Sequence, residues 1–239
     1  MKKIGIVGHF VGPTTFGITK PYMSFLSHFG EVSIISPWEN DTRDIDLLVL
    51  PGGPDVDPLR YLEDGDEWNL ATGQPCMIRE RFDRILLPQY IARRTPILGI
   101  CRGHQSLYVQ MGGKLIQDMH HEYNGEDRMK LVHDIKFDNL GIFPGLARYV
   151  KDKIGKKPYK TNSIHHQAAD ENNKPEIATI IARHAIDNTV EAVTYFPHYP
   201  AHTFQWHPEE IWDDASYILI NHLLSLSDTN ENNSEEVAE

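Results

Sequence analysis

Short apolar runs recur along the first half of the chain, at a length typical of buried strands. They predict strands over Lys3–Val7, Glu31–Ile35, Ile45–Leu50 and Ile97–Ile100. Residues 45–50 are mostly apolar, as expected of a parallel strand that is covered on both faces. The pattern therefore indicates a sheet that is buried between layers.

Between these strands the apolar positions repeat every three to four residues, which predicts helices. The first begins near Lys20 and ends before Gly30. Residues 76–94 form a second helix, which we expect Pro88 to kink or end. Residues 102–111 form a third. Strands that alternate with helices through short joins favour an α/β fold with a doubly wound, mostly parallel sheet.

The pattern changes after about residue 129, where strands follow one another with little helix between them. The predicted strands are 132–137, 177–182, 189–196 and 201–206, and a closing helix carries apolar residues over 211–223 on one face. We expect an antiparallel segment here, attached to the same sheet. No second domain is required.

Length and charge bound the class of protein. The 239 residues fit one domain, which we place at 1–226. The segment 227–239 contains five acidic residues and no basic one, which predicts a disordered acidic tail. Removing those charges from the formal −11 leaves −6, which argues against binding of a nucleic-acid backbone. The absence of a long apolar stretch or signal-peptide pattern predicts a cytoplasmic protein with no membrane partner.

The cysteine and histidine content carries a further expectation. Two cysteines are too few for a disulfide framework or a cysteine-built zinc site, so we expect both to be free thiols. The thirteen histidines have spacings that match none of the zinc motifs, although a site assembled in space stays open. We predict no metal.

One of the two thiols stands in a chemically suggestive context. Cys101 lies in Gly99-Ile100-Cys101-Arg102-Gly103, between a predicted strand and a predicted helix. This Gly-x-Cys-x-Gly string is typical of a nucleophile elbow, where larger side chains than glycine would collide with the turn or a neighbouring strand. The N-terminus of the following helix would favour a thiolate. The alternative is a small buried hydrophobic residue at a strand end.

A second segment offers oxyanion donors. The strand over residues 45–50 ends in Pro51-Gly52-Gly53-Pro54. A backbone N–H of this loop could approach the same oxyanion that the N–H of Arg102 faces. The alternative is an ordinary turn that ends a strand.

A third segment, TFQWHPEE at residues 203–210, offers a base. His207 could take the proton of the Cys101 thiol. On an extended chain Glu209 would face the same way as His207 and orient its imidazole. The alternative is a surface histidine that precedes a helix.

Together, the strings GGPDVDP, GICRGHQ, NSIHHQ and QWHPE resemble class I glutamine amidotransferases in order and spacing, over residues 3–225. The arginine after the cysteine and the pattern Gly-Gly-x-Asp-Val-x-Pro are similar to the branch of γ-glutamyl-γ-aminobutyrate hydrolases and related γ-glutamyl peptidases. The resemblance implies a flavodoxin-like fold of the amidotransferase type. It also implies three groups of site residues: the nucleophile, base and orienting carboxylate Cys101, His207 and Glu209; the backbone oxyanion donors Gly53 and Arg102; and the substrate-binding candidates Gln105 and His166, packing being the alternative for His166.

The activity implied by this resemblance is cysteine-dependent hydrolysis of a γ-glutamyl amide through a thioester, with a small-molecule substrate and no cofactor. One alternative is a glutaminase subunit that delivers ammonia to a synthetase in trans. No synthetase domain and no GxxxxGK[ST] phosphate loop appear in the sequence, which favours the hydrolase. The other alternative is a non-catalytic binding module on the same fold.

Overall fold

The structure, a computed structural model, describes residues 1–12, 14–119, 127–155 and 157–235, with side chains up to residue 227. The strands are β1 (Lys3–Val7), β2 (His9–Phe10), β3 (Phe16–Gly17), β4 (Glu31–Ile35), β5 (Leu47–Leu50), β6 (Ile97–Ile100), β7 (Leu115–Ile116), β8 (His133–Phe137), β9 (Tyr159–Thr161), β10 (Ala168–Ala169), β11 (Thr179–His184), β12 (Val190–Thr194) and β13 (Ala201–Phe204). The helices are α1 (Lys20–Leu26), α2 (Met77–Arg81), α3 (Leu87–Ala92), α4 (Arg102–Gln110), α5 (Pro144–Tyr149), α6 (Pro208–Ile211) and α7 (Asp214–Glu235).

The main sheet has the strand order β4-β1-β5-β6-β13-β12-β11-β8-β9. From β4 to β13 the neighbours pair in parallel. From β13 to β9 they pair antiparallel. The predicted α/β class, with a largely parallel sheet and an antiparallel segment in the C-terminal half, is confirmed. β13 differs from the expectation for that half, because it pairs in parallel with β6 and so joins the two parts of the sheet.

Three neighbouring parallel strands end at the same edge of this sheet. Leu50 of β5 pairs with Gly99 of β6, and Ile100 of β6 pairs with Phe204 of β13. The chain segments that follow these strands therefore meet at the carboxyl edge, which is where ligands bind in sheets of this kind. Each segment contains one of the chemically suggestive stretches of the sequence.

The core lies on both faces of the sheet, because successive strand residues point to opposite faces. In β5, Leu47 and Val49 belong to a buried cluster that includes residues of α1 and α7. Leu48 and Leu50 belong to a second cluster, which includes residues of α3 and α4. The mostly apolar run at 45–50 is thus explained by cover on both sides.

The helix expected over residues 76–94 is interrupted by a π-helical segment, Phe82–Leu86, between α2 and α3. The N–H of Leu87 donates to the carbonyl of Phe82, five residues back. Pro88 follows at once and has no N–H to donate, and the wider turn is a common way to accommodate a break in the α-helical ladder. Pro88 therefore changes the helix type without ending the helix.

The closing helix α7 extends to Glu235, beyond the domain boundary expected at residue 226. Its backbone is helical over part of the segment for which composition predicts disorder, since each added residue gains a hydrogen bond from the packed turns before it. Residues 236–239 of that predicted tail lie outside the described residues, and the boundary stays a prediction. Within the described ranges, no helix combines the length and apolar character needed to cross a bilayer.

Candidate active site

Cys101 forms the turn between β6 and α4. Its φ of 51° and ψ of −107° lie in a region that residues other than glycine rarely adopt. A Cβ added to Gly103 would lie 1.9 Å from the carbonyl oxygen of Leu50, and one added to Gly99 would lie 2.7 Å from the carbonyl oxygen of Gly103. The flanking glycines are therefore needed because the turn packs directly on its neighbours, as expected of a nucleophile elbow.

The loop that follows β5, residues 51–54, lies against this turn and is called the glycine loop below. A Cβ added to Gly52 would lie 2.8 Å from Cε1 of His207 and 3.5 Å from Cβ of Cys101. The next residue, Gly53, has a φ of 155°, which side chains disfavour. The three segments, which are far apart in the sequence, therefore lie next to one another in space and line one cavity.

His207 follows β13 and is fixed at its backbone by Asn162. Oδ1 of Asn162 accepts from the N–H of His207 at 2.9 Å, and Nδ2 of Asn162 donates to the carbonyl of His207 at 3.3 Å. Nδ1 of His207 lies 2.7 Å from Oε1 of the buried Glu209. Glu209 stands in the first turn of α6, so the contact arises from a helix start and not from the extended chain that the sequence suggests.

The charges around His207 determine its protonation. Burial alone would lower the pKa of His207, but the negative charges of Glu209 and Cys101, with hydrogen bonds to both, raise it to about 10. The imidazole thus carries a proton at neutral pH and is hydrogen-bonded to the Cys101 sulfur. A sulfur, an imidazole and a carboxylate thus follow one another, as the predicted nucleophile, base and orienting group require.

A cavity of about 650 Å³ opens over these groups. Its described lining includes Cys101, His207 and Gly53, with Arg128 and Glu210 among the charged residues. Arg128 donates to Glu210 at 2.7 Å. A polar substrate of small to moderate size would therefore contact the sulfur and ionic groups in the same space.

The second predicted oxyanion donor, Arg102, is the first residue of α4 and follows Cys101 directly. The N–H groups at the start of a helix have no partner within the helix. The Arg102 side chain points into the protein, where its guanidinium contacts Glu80 at 2.6 Å and Asp83 at 2.9 Å. Any role at the sulfur would therefore belong to its backbone.

The two substrate-binding candidates lie outside the described lining of the cavity. Nε2 of Gln105 donates to the carbonyl of Gln167 at 3.0 Å and to Oε1 of Gln205 at 3.1 Å. His166 lies between Asp118 and Asp55, at 3.1 and 3.0 Å. Burial opposes it, but these two carboxylates raise the pKa of His166. Both residues stay predictions as substrate contacts.

Comparison with known proteins assigns the family. The profile of the peptidase C26 family matches residues 12–209. The chain belongs to the peptidase C26 family. It is 32% identical to the glutamine amidotransferase-like protein YvdE of Lactococcus lactis, over 72% of this chain and 70% of that protein. It is 28% identical to the γ-glutamyl-γ-aminobutyrate hydrolase PuuD of Escherichia coli, over 87% of this chain and 84% of PuuD.

Solved structures agree on the fold of this C26 chain. A glutamine amidotransferase from Thermotoga maritima superposes with a TM-score of 0.55 at 15% identity, over 96% of this chain and 85% of that one. A glutamine amidotransferase from Methylobacillus flagellatus gives a TM-score of 0.56 at 19% identity, over 87% and 71% of the two chains. The expected resemblance to the class I glutamine amidotransferases is thus confirmed for family and fold.

Sequence reasoning missed several residues that shape the site of this C26 protein. Tyr22 lies in the first predicted helix, yet its hydroxyl accepts from the N–H of Gly52 at 2.8 Å and is hydrogen-bonded to Glu209. Arg79 lies in the helix predicted over residues 76–94, where the sequence pattern gives it no separate role. Asn162 stands in the quoted string NSIHHQ, which is the one available signal for it. The contacts of the others cross long stretches of sequence and leave no local motif.

One buried group of side chains offers metal-ligand chemistry. Three side chains each place one ligand atom within 4.8 Å of the other two: His133, His165 and Glu191. Oε1 of Glu191 is 2.9 Å from Nδ1 of His133 and 3.7 Å from Nε2 of His165. Imidazole and carboxylate are ligands that zinc accepts. Because these residues come from separate parts of the chain, they form no metal-binding motif with a recognisable spacing in the sequence.

Proposed function

We propose that this protein hydrolyses γ-glutamyl amide bonds through a γ-glutamyl thioester on Cys101. The contact chain from Cys101 to His207 and on to Glu209, beside a cavity that the glycine loop also lines, carries the proposal. Membership in the C26 family and the likeness to a γ-glutamyl-γ-aminobutyrate hydrolase support the γ-glutamyl class of substrate.

The first half of the reaction is acylation. The Cys101 thiolate attacks the γ-carbonyl carbon, a sulfur–carbon bond forms, and the carbonyl oxygen becomes an oxyanion. In this proposal the N–H groups of Gly53 and Arg102 donate to that oxygen. His207 then gives its proton to the departing nitrogen, the carbon–nitrogen bond breaks, and the amine leaves.

The second half is deacylation. Nε2 of His207, now without its proton, takes one from water as the water oxygen attacks the thioester carbon. Collapse of the second tetrahedral intermediate expels the Cys101 thiolate and releases a γ-carboxylate. The proton on His207 and the thiolate restore the starting ion pair. Glu209 keeps the imidazole oriented throughout, because its carboxylate accepts from Nδ1.

A substrate panel tests this proposal. Purified protein is incubated with glutamine and with γ-glutamyl amides of several amines, and glutamate release is followed. We expect turnover of at least one γ-glutamyl amide by wild type and by Cys76→Ser, which removes the other free thiol. Cys101→Ser should lose turnover and keep the fold, since the weaker nucleophile replaces the thiolate.

Three results would count against the proposal. Turnover by Cys101→Ala at the wild-type rate would exclude the sulfur as nucleophile. If glutamine were the sole substrate of the panel, and were cleaved only when a synthetase is added, the result would favour the ammonia-delivering glutaminase over the hydrolase. Complete inactivity of wild type on the whole panel, with intact folding, would favour a non-catalytic module.

A further inference from the structure

A buried arginine holds the glycine loop through two hydrogen bonds. Arg79, in α2, has no exposed surface. Its Nη1 donates to the carbonyl of Gly52 at 3.0 Å, and its Nη2 donates to the carbonyl of Pro51 at 2.8 Å. Two successive carbonyls are thus held by one planar guanidinium, whose fork geometry allows both contacts at once.

The hydrogen bond from Arg79 to the Gly52 carbonyl also fixes the direction of the Gly53 N–H. The carbonyl of Gly52 and the N–H of Gly53 belong to one trans peptide unit, so they point to opposite sides. With the oxygen turned toward Arg79, the Gly53 N–H points away from the guanidinium. Gly53 lines the cavity that contains Cys101 and His207, and Gly52 lies so close to His207 that there is no room for a side chain.

The N–H of Gly52 itself is already engaged. It donates to the hydroxyl of Tyr22 at 2.8 Å. Among the described residues, the N–H of Gly53 has no hydrogen-bond acceptor. Tyr22 and Arg79 therefore hold Gly52 at both its N–H and its carbonyl, and leave the Gly53 N–H as the donor of this loop.

A pair of adjacent glycines needs such a restraint. Without side chains, the peptide unit between Gly52 and Gly53 can rotate at low cost. A flipped unit would turn the carbonyl dipole of Gly52 toward the position of a developing oxyanion and repel it. It would also turn an N–H toward the Arg79 guanidinium, which has no acceptor.

We propose that Arg79 is a positioning residue for the oxyanion donor: its guanidinium holds the Gly52 carbonyl so that the Gly53 N–H faces the reacting carbonyl oxygen on Cys101. The catalytic consequence rests on the proposed function. The orientation of the peptide unit does not.

The positive charge of Arg79 adds to this effect. Burial, and then the neighbouring Arg102 charge, lower the pKa of Arg79 to about 10, so it stays charged at neutral pH. His9, another cavity residue, has its pKa lowered to about 4 by burial and by the charges of Arg79 and Arg102. The field of the two guanidiniums thus extends into the cavity, where it stabilises negative charge.

The test compares Arg79 with Arg60, a second buried arginine near Asp83. Arg60 contacts Asp83 at 2.9 Å and Glu80 at 3.6 Å, the same carboxylates that hold Arg102. Among the described residues, none of its hydrogen bonds or ion pairs goes to the glycine loop. Arg60→Met is therefore the matched control for loss of a buried guanidinium. Arg79→Met removes both donors to the loop, and Arg79→Lys keeps the charge with a single point donor.

Three measurements follow for each variant. For Arg79→Met we expect single-turnover thioester formation to slow by about 10- to 100-fold with little change in KM, since the lost contact acts on the transition state. Arg79→Lys should recover part of that loss. Alkylation of Cys101 by iodoacetamide, which expels iodide and forms no oxyanion, should slow far less than acylation, because only the lost charge of Arg79 affects it. Arg60→Met should form the thioester within about threefold of wild type.

The third measurement is structural. Crystals of Arg79→Met should contain the Gly52–Gly53 peptide unit flipped or in two orientations, and crystals of Arg60→Met should not. A single wild-type orientation in Arg79→Met overturns the proposal, whether or not wild type is active on γ-glutamyl amides. Equal losses of acylation and alkylation, or equal losses in Arg79→Met and Arg60→Met, would also overturn it. Inactivity of wild type alone would reject the proposed function and leave the crystallographic comparison to decide.

Discussion

Cys101, the proposed nucleophile, has an uncommon backbone conformation. Cys101 holds a φ of 51° between a strand and a helix, and such a conformation costs on the order of 1–3 kcal/mol. The surrounding contacts of Gly99 and Gly103 leave the turn no room to relax. The strain fits a side chain that has to stand at one fixed place beside His207.

A carboxamide at position 209 tests the charge at His207. Glu209→Gln removes the negative charge that raises the pKa of His207 to about 10, so burial should then pull that pKa down. His207 loses its proton, and with it its positive charge, only when the pH rises through this pKa. The alkaline limb of kcat/KM should therefore lie near pH 10 in wild type. In Glu209→Gln it should move to lower pH, and kcat should fall by roughly 10²- to 10⁴-fold.

Glu191→Gln is the matched control for this variant. Glu191 contacts Nδ1 of His133 at 2.9 Å in a second buried histidine–carboxylate pair. Loss of the Glu191 charge should lower the urea midpoint of unfolding and leave the alkaline limb of kcat/KM where it is in wild type. An unchanged pH profile in Glu209→Gln, or an equal shift in Glu191→Gln, would contradict the role given to Glu209.

At the scale of elements, the approach of α4 to β5 sets the site geometry. The absence of a side chain at Gly103 brings the first turn of α4 onto the end of β5, at Leu50. The same turn carries the N–H of Arg102, and the same strand leads into the glycine loop. One close helix–strand contact thus fixes both halves of the proposed oxyanion site.

Adding one methyl group at this contact should separate the two elements. In Gly103→Ala the new Cβ would stand 1.9 Å from the Leu50 carbonyl oxygen, a backbone atom that cannot yield cheaply. We expect a loss of about 3 kcal/mol or more in the free energy of unfolding, together with loss of turnover. Urea denaturation of the purified variant measures the first quantity.

Gly141→Ala provides the comparison, because an added Cβ there meets nothing within 4 Å. Its stability should stay within about 0.5 kcal/mol of wild type. Equal stability of Gly103→Ala and Gly141→Ala would contradict the close packing of α4 on β5.

At the scale of the whole molecule, the strands and the triad candidates were predictable because their signals are local. Apolar runs marked β1, β5 and β6, and Gly-x-Cys-x-Gly marked the turn at Cys101. The parallel pairing of β13 with β6 was missed, since a strand without a preceding helix reads as part of an antiparallel set. That pairing is what brings His207 to Cys101.

The supporting residues were not predictable for a related reason. Arg79 and Tyr22 act on Gly52 from 27 and 30 residues away in sequence. Each lies in a predicted helix, and no local pattern marks either residue as a contact of the glycine loop. Contacts of this kind arise from the fold as a whole and become visible only when the sheet order is known.

The most direct test of the account is the mass of the protein caught during turnover. Wild type is mixed with a slowly hydrolysed γ-glutamyl ester, quenched in acid and digested, and the modified peptide is sequenced. The account predicts one γ-glutamyl group on Cys101, removed by hydroxylamine and absent from Cys101→Ala. A substrate that is cleaved while the label is found on another residue, or on none at any quench time, would contradict it.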